Sequence, residues 1–203
     1  MRQLSTVTLV SALLLSGGCA QAPDAVLAAA TAAGTPVVDR AAGIAIAVPQ
    51  GMHLRRDFRR DYLGDAGWKA FADADGHGRP VLALVLDGSD AITTAELRIG
   101  MGSDAQALAH CRDVPPSGVA PEASTVTLDG VPFLRFHAAD AAMSHYREVE
   151  AYHAVHAGRC YAIDLLLTGT RPEVYDPPAT PPFDRVAAKV KLQRALASLR
   201  FTE

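Results

Sequence analysis

The stretch STVTLDGVPFLRFHA, residues 124–138, decides the fold class. Two runs of alternating apolar and polar residues meet at Asp129-Gly130, a dipeptide suited to the left-handed backbone of a two-residue hairpin turn. Downstream, SHYREVEAYHAVHAGRCYAIDLLLTG (144–169) repeats the pattern and turns at Ala157-Gly158. Its second arm carries Cys160, Ile163, Leu165 and Leu167. Tight turns between neighbouring strands dictate antiparallel pairing.

Further strands are expected upstream. GIAIAVPQGM (43–52) alternates and breaks at Pro49. WKAFADAD (68–75) and PVLALVLD (80–87) read as a hairpin around DGHGR, with Gly76 and Gly78 in its turn. TAELRIGMG (94–102) is another strand. SDAQALAHC (103–111) is a short helix with Ser103 as its cap, Gln106 as the capping-box partner and Cys111 at its end. RPEVYDPPATPPF (171–183) holds too much proline for helix or sheet and is a long loop. Asp184 then caps a last helix to about Leu199, with Leu192, Leu196 and Leu199 in a stripe. Val186 and Val190 lie off that stripe, so the helix is expected to be covered on more than one side. The reading is α+β: a mostly antiparallel sheet of hairpins with a short helix and a C-terminal helix packed on it.

The amino terminus is of another kind. Arg2 precedes an uncharged run, Leu4 to Leu15, that ends in Ser16, Gly17, Gly18 and Cys19. A basic start, a short apolar middle and small residues make a secretory signal. The junction resembles the lipobox of bacterial lipoproteins; Gly18 fits, while Ser16 departs from the pattern because Leu15 sits one place early. The resemblance implies removal of residues 1–18, acylation of Cys19 and a lipid bilayer as partner; two or more acyl chains hold stably. Ala20 after the cysteine implies an outer-membrane location with the body facing the periplasm. Residues 19–40 are rich in Ala, Thr, Pro and Gly and read as a tether, leaving 41–203 as one domain.

The net charge of the full chain is −3 and no basic stripe occurs, which argues against nucleic acid as a partner. Cys111 and Cys160 are the cysteines of the domain. In an oxidising compartment two such cysteines pair, and their wide separation is unlike a C-x-x-C redox site.

An opening strand ending in VPQGM (48–52), a middle of meandering hairpins and a last helix closing on ASLRF (197–201) resemble the Mog1/PsbP-like α/β/α sandwich over roughly residues 41 to 203. The resemblance implies a binding or scaffolding role and supplies no shared catalytic set.

The residues themselves nominate no catalytic centre, cofactor or metal. His145, His153 and His156 share one expected strand, but His145 and His153, on one face, stand over about 25 Å apart at about 3.3 Å per residue. His156 faces the other way, and His137 comes from another strand. These histidines read as the polar face of an edge or half-exposed strand. DADGHG (73–78) lacks the later acidic ligands of a calcium loop. Ser144 and His145 are strand neighbours pointing to opposite faces, and no G-x-S-x-G occurs. Two segments are candidates for partner contact. RRDFRRDY (55–62) offers Arg55, Phe58 and Tyr62, and the proline-rich loop offers Tyr175 and Phe183. The expected function is therefore that of an envelope lipoprotein, a non-catalytic binding or accessory module with an envelope protein partner. The rival readings are an immunity-type inhibitor of an envelope-targeting toxin and a metal-binding or hydrolytic protein.

Overall fold

The structure is a computed structural model that describes residues 34–58, 67–72, 77–115 and 123–202. Cys19, the segment expected as a signal, residues 19–33 of the expected tether, Tyr62 and residues 73–76 of DADGHG lie outside the described residues.

Among the described residues ten strands, two α-helices and one 3-10 turn follow in order: β1 (Gly34–Asp39), β2 (Ile44–Pro49), β3 (Met52–Arg55), β4 (Arg79–Leu86), β5 (Thr93–Gly102), α1 (Ala105–Ala109), β6 (Ser124–Leu128), β7 (Val131–Ala142), β8 (His145–His156), β9 (Arg159–Thr170), the 3-10 turn Pro172–Val174 at the start of the segment expected to hold no helix, α2 (Arg185–Leu196) and β10 (Arg200–Phe201). Seven strands form one antiparallel sheet in the order β3-β4-β5-β9-β8-β7-β6. A small sheet has the order β1-β2-β10. The architecture is antiparallel α+β, as the hairpin pattern implies.

The hairpin turns carry that outcome. Asp129 (φ 47°) and Gly130 (φ 79°) take left-handed backbone together, as do Ala157 (φ 47°) and Gly158 (φ 71°). Two consecutive positive φ values give the primed turn whose twist matches that of paired strands.

Side-chain alternation then sorts the sheet into two faces. Tyr161, Ile163, Leu165 and Leu167 of β9 join the main core with Leu192, Leu196 and Leu199. Ile44 and Ile46 of the small sheet close the same core. Val186 is 73% exposed and Val190 39%, so α2 buries one stripe only, which corrects the expectation of cover on more sides. Asp184 caps α2, its carboxylate accepting the Ala187 N–H at 2.8 Å.

The far face is covered by the segment 67–72, where turns stand in place of the first part of the strand expected over 68–75; residues 73–75 lie outside the described residues. Trp68 packs where Gly78 and Gly100 leave room; a Cβ on Gly100 would stand 1.6 Å from the Trp68 carbonyl oxygen. With that segment lifted out of the sheet, β4 pairs with β3 and β5.

Three boundaries also move. Gly34–Asp39, expected to belong to a tether reaching Arg40, is a strand paired with β2. The run 43–52 splits at Gly51 (φ 80°) into β2 and β3, which belong to different sheets. Asp104, not Ser103, caps α1, accepting the N–H groups of Gln106 and Ala107 at 3.0 Å each. Those bonds, Ala107 first, hold the Asp104 carboxyl below its ordinary range.

Candidate functional site: the cleft between helix α2 and strands β7 to β9

Alternation along β8 points Glu148, Glu150 and Tyr152 toward α2. Glu150 is buried beneath the helix. Its Oε1 accepts from Arg135 Nε at 2.7 Å and from the Tyr152 hydroxyl at 2.6 Å. Its Oε2 accepts from Gln193 Nε2 at 3.2 Å and faces Lys189 Nζ at 3.0 Å. One carboxylate thus ties β7, β8 and α2 together. Burial works to raise the Glu150 carboxyl, but the hydrogen bonds from Tyr152 and Lys189 and the charges of Lys189 and Arg135 outweigh it, so its pKa lies below the usual range. Burial and the bond to Glu150 push the Tyr152 phenol up.

Beside this latch the helix stands off the sheet. A cavity of about 270 Å³ is bounded by His137, Ala139, Leu165, Leu167, Lys189 and Leu192. A cleft of about 650 Å³ adjoins it, sharing Ala139 and Glu148, with walls from Tyr146, Arg171, Pro172 and Pro181. Arg185 lies 4.5 Å over the Tyr146 ring and pairs with Glu148. Tyr146 in turn holds its hydroxyl 3.2 Å from Thr93 Oγ1. The proline-rich loop therefore forms one wall of a mixed polar and apolar cleft.

The opposite face carries a second polar group that the sequence reading overlooked. Arg98 and Glu96 of β5 form a buried pair at 2.7 Å. Arg98 also lies 5.1 Å over the Phe58 ring. Asp164, directly across from Arg98 on β9, accepts the Ala70 N–H at 2.7 Å and so pins the 67–72 segment. His153 is 1% exposed, with Nε2 3.7 Å from Asp164 Oδ1, and neither ring nitrogen has a hydrogen-bond partner. The available signal was a set of charged residues inside apolar strands, in AELRIG and AIDLLL, where burial of both faces forces charges to find partners.

The expected residues fall as follows. Cys111 and Cys160 form a disulfide that ties the end of α1 to β9. His145 meets Thr170 Oγ1 at 3.0 Å, His153 packs edge-on against Phe136, and His156 lies against Phe201. His137 stands opposite Glu150 in the sheet register. β8 is flanked by β7 and β9, so His145, His153 and His156 do not line an edge strand. Among the described residues no cluster of three or more His, Cys, Asp or Glu side chains could hold a metal ion. Arg55 is half-exposed and pairs with Asp57 at 2.6 Å. Phe58, expected at a partner contact, is 2% exposed and packs on Ala83 and Val85. Tyr175 is exposed, whereas Phe183 packs against the main core and anchors the loop from beneath. No described helix is long and apolar enough to cross a membrane.

No protein-family model and no curated protein matches the chain.

Proposed function

We propose that this chain is a bacterial envelope lipoprotein whose α+β domain, of Mog1/PsbP-like type, acts as a non-catalytic binding module. Cys19 is the acylated anchor, and the outer membrane, seen from the periplasm, is its location. The observation that carries the binding role is the pair of neighbouring hollows beside α2, about 270 Å³ and about 650 Å³, which share Ala139 and Glu148 in their walls. Hollows of this kind, apolar with a few placed polar groups, are the usual form of a binding site. The Cys111–Cys160 disulfide supports an oxidising compartment.

The test uses the full chain expressed in its envelope, beside Cys19→Ala, with a photo-crosslinking side chain at Tyr175. Acyl mass on Cys19, release of the Cys19→Ala protein from membranes and a specific crosslinked partner are expected. An unacylated protein in the soluble fraction would overturn the anchoring, and absence of any crosslink would overturn the binding role.

A further inference from the structure

The outward side of α2 stands in solvent. The helix runs RVAAKVKLQRAL and contains no acidic residue. Ala188, Leu192, Ala195 and Leu196 make up its buried side. Val186, Ala187, Val190, Lys191 and Arg194 are exposed. Residues four apart lie one above another on a helix. Val186, Val190 and Arg194 therefore form one line along the surface, and Ala187 and Lys191 form the next.

Two features of this face do nothing for the domain itself. Valine is a weaker helix former than alanine or lysine, because its branched side chain loses freedom against the preceding turn. Val186, 73% exposed, recovers little of that loss by packing. The cations divide in the same way. Arg185 and Lys189 pair with Glu148 and Glu150, whereas Lys191 and Arg194 have no hydrogen-bond or ion-pair partner among the described residues. The face joins an apolar line to unbalanced positive charge, in a chain whose net charge is −3.

Exposed apolar residues flanked by Lys and Arg are the pattern of a helix that lies in the interface of a bilayer, where anionic headgroups attract the cations. With twelve residues α2 is well short of the roughly 20 that cross a bilayer, so it suits the surface alone. A second copy does not suit the face: with no acid on it, two-fold pairing sets cations against cations. Protein interfaces centre on aromatic anchors, and this face has none. The anchor also favours lipid. Residues 20–33 join Cys19 to Gly34 and span about 50 Å at most. An acyl group on Cys19 keeps the domain at the bilayer at high local concentration, where a weak contact suffices.

We propose that the outer face of α2, Val186 to Arg194, docks on an anionic lipid surface, with the valines in the interface and Lys191 and Arg194 on the headgroups. The contact fixes the orientation of the anchored domain and holds the cleft on the flank of α2 beside the bilayer. This inference rests on the reading of the chain as a lipid-anchored protein.

Lys69, Lys189 and Lys191 are the lysines of the chain, which makes amine acetylation a footprint of the contact. Lys191 lies on the docking face. Lys69, beside Trp68 on the opposite face of the sheet, is the internal reference. The acylated full mature chain is placed in vesicles of phosphatidylcholine with phosphatidylglycerol, or of phosphatidylcholine alone. It is acetylated briefly, and the mass of the Cys19 peptide is read in the same digest. Acetylation of Lys191 should be at least about fivefold slower on the anionic vesicles, the factor that one basic residue gains at such a surface. Lys69 should react equally on both, and high salt should abolish the difference at Lys191. Arg194→Glu, and separately the double change Val186→Ser, Val190→Ser, should return Lys191 to within about twofold of its rate on phosphatidylcholine, with circular dichroism unchanged. Equal Lys191 rates on the two vesicles, with the acyl group present, would overturn the inference and leave the anchored reading standing. Equal slowing of Lys69 and Lys191 would overturn it as an effect on all amines near the charged surface. Slowing of Lys191 in the native envelope but not on the protein-free anionic vesicles would overturn it in favour of a protein partner. A Cys19 peptide without acyl mass would remove the anchored reading and the inference with it.

Discussion

Glu150 on β8 and Lys189 on α2 face each other at 3.0 Å, the carboxylate buried and the ammonium at the surface. The contact joins the C-terminal helix to the centre of the sheet, and Arg135, Tyr152 and Gln193 also donate to the carboxylate. Removing a member of a buried, saturated pair is more harmful than the pair is beneficial, because the remaining charge is stranded. Glu150→Gln should therefore destabilise the fold by about 3 kcal/mol at neutral pH. The pH dependence has a defined sign. The folded carboxyl titrates below its ordinary 4.5, so its contribution is present above that value and disappears as pH falls through the folded pKa. Denaturation midpoints of wild type and Glu150→Gln should converge in that acid range, and a constant gap would refute the assignment.

The disulfide closes a loop with a sequence separation of 49. Loop-closure entropy gives it a worth of about 4 kcal/mol. The double replacement Cys111→Ala, Cys160→Ala should lower the urea midpoint accordingly and steepen the slope, because the unfolded chain without the crosslink exposes more surface. Thiol labelling of the unreduced folded protein should leave both cysteines unmodified.

Phe58 and Tyr175 should behave in opposite ways. Phe58 is enclosed by Ala83, Val85 and the Arg98 guanidinium, so Phe58→Ala should cost about 3–4 kcal/mol of stability. Tyr175 stands in solvent, and Tyr175→Ala should change stability by less than about 0.5 kcal/mol while weakening partner capture. Thermal melts of the two variants give the comparison directly.

Trp68 is the single tryptophan of the chain, so its emission reports on the segment over the far face. Gly100→Ala places a Cβ against the backbone of Trp68, where no flexible side chain can yield. It should cost about 1–3 kcal/mol and shift the emission to the red. Unchanged emission and stability would mean that the segment does not rest on β5.

His153 offers a case where an apolar replacement is tolerated. Its ring nitrogens are buried without hydrogen-bond partners, a state that costs about 1–3 kcal/mol per orphaned group. His153→Leu should leave the melting temperature unchanged or raise it, whereas a marked fall would show that the imidazole holds a stabilising partner.

The hairpins were legible because their signals are local. Asp129-Gly130 and Ala157-Gly158 specify turns within two residues, and alternation specifies a face within five or six. The cap at Asp184 and the stripe Leu192, Leu196 and Leu199 were equally local. Trp68 to Phe71 was misread because an apolar run carries the same pattern whether it pairs in a sheet or lies across one. Val186 and Val190 were misread for a related reason: hydrophobicity alone does not say whether a neighbour exists. The cleft was only half visible. The proline-rich loop announced an irregular wall, but nothing in Glu150, Lys189 and Tyr152 taken singly indicates that they converge.

By itself the sequence determined the antiparallel hairpins, the two-residue turns, the C-terminal helix and the pair of cysteines available for bonding, because each depends on neighbours along the chain. Only the tertiary structure decided the strand order, the burial of Phe58, Asp164 and His153, and the hollow between α2 and β7 to β9. Those features depend on contacts between distant residues, such as Ala70 with Asp164 and Glu150 with Lys189, whose free energy exists only once the sheet has closed.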